Sequence, residues 1–344
     1  MLQNKIHASL ACSLAIFLCT LTIAAPVSAD STVNFSGFLS STAPAAFNSA
    51  SLQSFVAATP AAAASVSVNG DIYSGVSLEA YIKSYVSSQS GVKNDILRDY
   101  IVATDSKGAN TVYSLANLLG SGFGVQNDII AYSDSNGTLA GPAIIAADGA
   151  NVLNLSSLQV GHVNYTAGVG GVSSQFSIDG AVSNPETFNT STNPFPGSLV
   201  TETISVSVPP IAANTTFTGV NLWDLLLHAG ISTDPASLLN QYVIATATDG
   251  YQVVYSLEEL APGYGNQNDL LAYQTNGAAL GSNGLVRTVV PTDLKAGRFA
   301  SNITELTVVS VAQVPLPASA FLMLSGLLGL MGGRLLKLRA DRRA

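Results

Sequence analysis

Thr248–Gly277 reads TDGYQVVYSLEELAPGYGNQNDLLAYQTNG, and a looser copy, DSKGANTVYSLANLLGSGFGVQNDIIAYSDSNG, occupies Asp105–Gly137. Tyr113-Ser114-Leu115 answers Tyr255-Ser256-Leu257, Gln126-Asn127-Asp128 answers Gln267-Asn268-Asp269, and Ala131-Tyr132 answers Ala272-Tyr273. The offset is 142 residues at the first match and 141 at the others. A fixed offset of this kind marks a tandem repeat, so each copy is read against the other. The correspondence extends outward: Phe35 and Phe176, Pro44 and Pro185, Phe47 and Phe188, and Ser65–Val68 and Ser205–Val208. The expected organisation is a first repeat over 30–163, a Gly-rich linker over 164–175 and a second repeat over 176–312.

Periodicity within the repeats is mixed. Val66–Tyr73 and Thr203–Val208 alternate as strands do, and Tyr100–Thr104, Tyr242–Thr246 and Tyr251–Tyr255 read as further strands. Leu285–Val290 and Ile303–Val311 complete the second repeat. Leu78, Tyr81, Ile82, Tyr85 and Val86 fall at helical spacing, as do Leu222, Leu225, Leu226 and Ala229. Ser77 and Asn221 are the expected N-caps, and Gly230 the expected C-cap. Asn136-Gly137 and Asn276-Gly277 are hairpin turns. Asp30–Ala64 reads as part linker and part strand. Strands and short helices intermix without βαβ regularity, so the expected class is α+β, with two repeats of a mixed β-sheet domain.

Of 13 Lys and Arg, only seven lie between Asp30 and Gln313, against 20 of the 21 acidic residues, giving the body a net charge of −13. A body so acidic repels nucleic acid and anionic membranes. Both cysteines, Cys12 and Cys19, lie in an N-terminal apolar segment; without it no thiol remains for disulfides, metal ligation or nucleophilic chemistry.

Residues 1–29 read as a signal peptide: Lys5, an apolar run over Leu10–Ala25, then Val27-Ser28-Ala29 as a small-x-small cleavage site for signal peptidase. A retained anchor is the alternative. Residues 313–344 contain Val314-Pro315-Leu316-Pro317-Ala318, an apolar run over 318–333 and a basic end that begins at Arg334. At the helical rise such a run spans about 24 Å, short for a permanent crossing. This order of motif, run and basic end resembles the PEP-CTERM sorting tails of Gram-negative bacteria, in their VPLPA-CTERM variant. The resemblance implies recognition by an exosortase, transient inner-membrane anchoring and release to the cell surface or extracellular matrix, with an exopolysaccharide matrix or a small ligand as partner. An ordinary C-terminal anchor predicts the same topology without cleavage.

Gly219–Leu226, Asp249-Gly250-Tyr251, Leu270–Tyr273, Asn276-Gly277, Val289-Val290-Pro291 and Gly297-Arg298, in that order, resemble the molybdopterin-binding domain of the sulfite oxidase family. In that family a cysteine before the Gly-Val-x-Leu helix ligates molybdenum; the corresponding stretches here are Val206–Pro210 and Val66–Gly70, without a thiol. The family also holds the pterin phosphate with basic residues, and only Arg298 sits at a matching position. The resemblance therefore implies a scaffold that has lost its metal ligand. The expected function is a non-catalytic binding or structural module with no cofactor, whose ligand groove is bounded by Tyr251, Tyr264, Arg287 and Arg298. The alternative is a molybdopterin-dependent oxidoreductase with non-Cys ligation; purely structural spacers are a third reading.

No catalytic or metal-binding residue is assigned. His162 and His228 lack a partner motif for a nucleophile and read as structural. Asp128 and Asp269 invite a calcium reading, but the carboxylates of a calcium loop do not follow, and caps or Asx-turns explain them better. Glu258-Glu259 reads as a solvated helix face, and Trp223 as core. Gly-x-Gly at 122–124 and 263–265 lacks the context of a dinucleotide site.

Overall fold

The structure is a computed structural model that describes residues 30–120, 123–124, 127–189 and 194–312. The first half opens with β1 (Val33–Gly37), β2 (Ala46–Phe47), α1 (Ser49–Ala58), β3 (Ala63–Val68), β4 (Asp71–Ser77) and α2 (Leu78–Lys83). It continues with β5 (Asp99–Asp105), β6 (Asn110–Ser114), α3 (Leu115–Leu118), β7 (Ile129–Asp134), β8 (Gly137–Ile145) and β9 (Leu155–His162). The second half begins with β10 (Phe176–Gly180), β11 (Glu186–Phe188), β12 (Thr201–Val206), β13 (Thr215–Asn221), α4 (Leu222–Ala229) and α5 (Pro235–Leu238). It ends with β14 (Gln241–Ala247), β15 (Gln252–Ser256), α6 (Leu257–Leu260), β16 (Leu270–Thr275), β17 (Ala278–Ala279), β18 (Arg287–Val289) and β19 (Ile303–Ser310).

Each half carries two sheets with matching strand order. β2-β1-β9-β5-β6 is answered by β11-β10-β19-β14-β15, and β3-β4-β7-β8 by β12-β13-β16-β17 with β18 also on β16. In both halves the first strand pairs in parallel with the last, β1 with β9 and β10 with β19, while the other pairings are antiparallel. The core of the first half joins residues of both sheets (Val33, Ile101, Leu158; Val76, Ile130, Ile144) to Leu52 of α1 and Leu78 and Ile82 of α2. In the second half α4 buries Leu222, Leu225 and Leu226, the stripe its spacing announced. Burying side chains of this size contributes about 1.5–3 kcal/mol each. Asn221 caps that helix through Trp223 N, and Gly230 closes it at φ 79°.

The Gly-Val pair ahead of each helix has a packing reason. Gly75 and Gly219 sit at equivalent register shifts in β4 and β13. A Cβ on Gly75 would lie 2.1 Å from the Ile130 carbonyl oxygen, and one on Gly219 2.2 Å from that of Leu271. The second glycine of each Gly-aromatic-Gly stretch is likewise structural. Gly124 N donates to Ala116 O and Gly265 N to Glu258 O, which folds each turn against α3 or α6. The halves meet along β5–β6 and β14–β15, where Val102, Val112, Tyr242 and Val254 form one cluster and the rings of Tyr100 and Tyr242 stack at 4.3 Å.

Several expectations are corrected. Val66–Tyr73 is two strands, not one: Asn69 and Gly70, at φ 53° and 91°, turn the chain between β3 and β4. Within Asp30–Ala64, α1 was not foreseen. Leu52, Phe55 and Val56 form its inward apolar stripe, and its start is fixed by a capping box in which Asn48 accepts from Ser51 N. Leu285–Val290 contracts to the three residues of β18.

The α+β class describes the fold, but its flanking membrane segment is not supported: among the described residues no helix is long and apolar enough to cross a membrane. The expectation of transient inner-membrane anchoring has no structural support for the same reason. The expected signal peptide over 1–29 and sorting tail over 313–344, with its span at 318–333, lie outside the described residues.

Replacing Gly219 with Ala drives a methyl group into the β16 backbone. It should destabilise the protein by about 1–3 kcal/mol, the usual range for overpacking, read as a lower urea midpoint at unchanged slope. Ala at Gly277, where a Cβ meets nothing but φ is 74°, should cost less.

Candidate functional site

The short helix α6 positions the first group. Ser256 caps it by accepting from Glu259 N, and Glu259 in return accepts from Ser256 N. The box turns Glu259 inward, with no exposed side chain, toward Arg298. Arg298 Nη1 donates to Glu259 Oε2 at 2.6 Å, and Nη2 and Nε donate to Asp293 at 2.5 and 3.1 Å. Nη2 also lies 3.5 Å from Asn117 Oδ1 of the first half, and the Arg298 carbonyl accepts from Tyr255 and Thr288 hydroxyls at 2.6 Å each. Asp269 is 1% exposed, and neither of its carboxylate oxygens has a hydrogen-bond partner.

Three carboxyl groups thus surround one guanidinium away from water. Burial raises the proton affinity of Glu259, to about 7, against the opposing pull of Arg298. It raises that of Asp293 too, and that of Asp269 well above the ordinary carboxylate range. Burial alone would favour discharging Arg298, but Glu259 and Asp293 outweigh it and keep the guanidinium charged. Charge balance is met by leaving a carboxyl protonated, as expected for like charges in a low-dielectric interior.

The four groove residues are not brought together. Tyr251 lines a cleft of about 300 Å³ with Lys93, Asn94, Thr248, Asp249, Gly297, Phe299 and Asn302. Its hydroxyl donates to Gly297 O at 2.7 Å and accepts from Asn94 Nδ2 at 2.9 Å. Tyr264 packs instead against the apolar cores of both halves. Arg287 is buried over the rings of Phe217 and Phe299, at 5.3 and 6.0 Å, and donates to Phe299 O. Arg298, wholly buried, is engaged by its carboxylates rather than by a groove. Asn94, Lys93 and the joint residue Gly171 were not foreseen in the cleft, because contacts across the two halves leave no local pattern.

The other candidates are placed as follows. Glu258 and Glu259 are buried, 1% and 0% exposed, correcting the solvated face expected for them: the capping box aims the helix into the seam. Asp269 is a buried carboxyl rather than a cap or turn, Asp128 is buried and accepts from Ala147 N at 3.3 Å, and no group of three or more His, Cys, Asp or Glu among the described residues could hold a metal ion. His228 Nε2 lies 3.3 Å from Glu186 on the surface, and Trp223 packs half-buried against the core. His162 Nδ1 lies 2.6 Å from Oδ1 of fully buried Asp99, its ring stacked on Phe38 at 3.8 Å. Asp99 is flanked by Arg98, which pairs with Asp95 and donates to Val163 O. Burial, then the Asp95 charge, pushes Asp99 up to about 8 against the opposing effect of Arg98, while burial, then Arg98, lowers His162.

A family model described as the oxidoreductase molybdopterin binding domain matches residues 187–312, less than half of the chain. The second half has a molybdopterin-binding-domain-like fold. Among solved structures, the sulfane dehydrogenase SoxCD from Paracoccus pantotrophus is similar at 18% identity and a TM-score of 0.31, over 44% of this chain and 41% of that one. The chain therefore spans about two fifths of that structure's chain. Comparison with curated proteins gives no match. The match to an oxidoreductase domain overturns the expectation of a non-catalytic, exosortase-sorted surface module and favours the redox alternative.

A thiolate-held molybdenum does not fit the residues present. The described chain has no cysteine, and the stretch where the thiol is expected is Val206–Pro210, with Val206 and Val208 in the apolar core and Pro209 O accepting from Ala296 N. The Tyr251 cleft, by contrast, offers amide, hydroxyl and backbone groups beside an aromatic wall, the chemistry that suits a polar heterocycle.

Arg298→Met leaves buried carboxylates without their cation and should cost about 3–5 kcal/mol, measured by urea denaturation. For Asp99, a folded-state value of about 8 against 3.8 for the free group means the folded protein holds the extra proton between those values. Its contribution to stability is full below 3.8 and is lost as pH rises through about 8. Asp99→Asn should therefore flatten the decline of Tm with rising pH over that window.

Proposed function

We propose that this chain is an oxidoreductase-type protein whose second half binds a flat, polar cofactor of the pterin class in the Tyr251 cleft, any molybdenum being held without cysteine. The observation that carries this reading is the match of residues 187–312 to the oxidoreductase molybdopterin binding domain. It is supported by a cleft that takes Asp249 and Tyr251 from one motif of that resemblance and Gly297 from another. Tyr251 fixes the cleft by bridging Asn94 of the first half and Gly297 of the second, and Phe299 supplies an aromatic wall. Arg298 acts behind that wall: its ion pairs and its carbonyl hold the 293–300 segment in place.

The first half is read in the same way, as a divergent copy of the domain over 30–163, joined by 164–175 to the copy over 176–312. The matching strand orders support this reading. On this reading the first copy completes the cleft of the second through Lys93 and Asn94.

Protein purified from a host that makes pterin cofactors should carry a near-stoichiometric pterin, detected as its fluorescent oxidation product, and elemental analysis shows whether molybdenum accompanies it. Tyr251→Phe should retain roughly tenfold less pterin, the effect of losing about one hydrogen-bonded bridge. Native protein free of both pterin and molybdenum would overturn the reading.

A further inference from the structure

The first half carries a second depression, of about 690 Å³ and more open to solvent than the cleft at Tyr251. It lies over the β1–β9–β5 surface and is lined by Phe38, Ser88, Gln89, Gln159, His162 and Asn164, among others. None of its described lining residues is Asp, Glu, Lys or Arg, although the body around it has a net charge of −13. The side chains of Ser88, Gln159 and Asn164 are exposed and make no hydrogen bond within the described protein.

His162 is the built element of this surface. Asp99 and His162 face each other across the β5–β9 ladder, so the backbone register itself presents the carboxyl to Nδ1. Asp99 is wholly buried, and its Oδ2 has no hydrogen-bond partner. Phe38, from the chain just beyond β1, stacks on the imidazole at 3.8 Å and 18° between planes. The ring is therefore held on one edge and one face, and Nε2 has no hydrogen-bond partner among the described residues. The same ladder position in the second half holds Gln241 opposite Ser310, so this arrangement belongs to the first half alone.

We propose that this cleft binds a neutral, hydroxyl-rich ligand of the carbohydrate class, gripped by Gln159, Asn164 and Ser88 and by Nε2 of His162. Each primary amide presents a donor and an acceptor in one plane, which matches a pair of neighbouring hydroxyl groups. An uncharged lining within an acidic body excludes anionic ligands by field and offers a cation no counter-charge at contact. Asp99 is a positioning residue here: it fixes the imidazole and does not line the cleft.

The test titrates the full chain calorimetrically with neutral malto-, cello- and chito-oligosaccharides, with oligogalacturonate as the charged comparison. At least one neutral series should bind, and the Q159A/N164A double variant should weaken it by roughly tenfold or more. Both substituted residues are exposed, so an unchanged Tm shows that the fold is intact. His162→Gln should weaken the same ligand. No binding by any neutral series at about 10 mM, equal affinity in the double variant, or equal binding of oligogalacturonate would each overturn the proposal.

Discussion

The guanidinium of Arg298 holds together what the rest of the second half depends on. It is enclosed by Glu259 and Asp293, and its own carbonyl receives Tyr255 and Thr288. A single residue thereby ties α6, β15, β18 and the segment before β19 to one point. The cleft at Tyr251 inherits its shape from that tie, because Gly297 and Phe299 flank Arg298 in the chain. A buried ion cluster of this kind is poor evidence of extra stability, since desolvation cancels much of the attraction. Its effect is to admit one arrangement of the loop: any other leaves a charge buried without its partner.

A second constraint is steric and occurs twice. Gly75 and Gly219 let one strand cross another at a distance no side chain would allow, and each crossing feeds directly into a helix. Gly124 and Gly265 repeat the pattern at the turn after α3 and α6, where an added Cβ would meet the carbonyl oxygens of Asn117 and Glu259 at 1.7 and 2.5 Å. The two halves thus share their backbone crossings more faithfully than their side chains. Asn117 holds in the first half the place that Glu259 holds in the second, and the connection 146–154 carries no cation where the second half has Arg298.

That divergence separates two surfaces. The second half keeps the cleft at its repeated motifs and completes it with residues from the first. The first half, freed of the ion cluster, places Asp99 and His162 on adjoining strands under a different, uncharged cleft. The apolar seam of Tyr100, Val112, Tyr242 and Val254 joins the halves, so neither cleft is presented by an independent body.

The amino-acid sequence by itself determined the α+β class, the caps at Ser77, Asn221 and Gly230, and the Asn276-Gly277 turn. Each is set by contacts within a few residues or by steric limits on one backbone position. Left out of the sequence reading were α1, whose Leu52, Phe55 and Val56 stand at helical spacing within a Ser- and Ala-rich stretch, and the hairpin within Val66–Tyr73. Tyr251 was legible as a cleft residue because its motif is local. Arg298, Glu259 and Asp269 read from the sequence as groove, solvated face and turn, because the Arg298–Glu259 ion pair joins residues 39 apart and the burial of Asp269 has no local signal. Only the tertiary structure decided which charges face each other, since pairing across sheets and across halves is fixed by register and packing, and neither leaves a periodic trace in the chain.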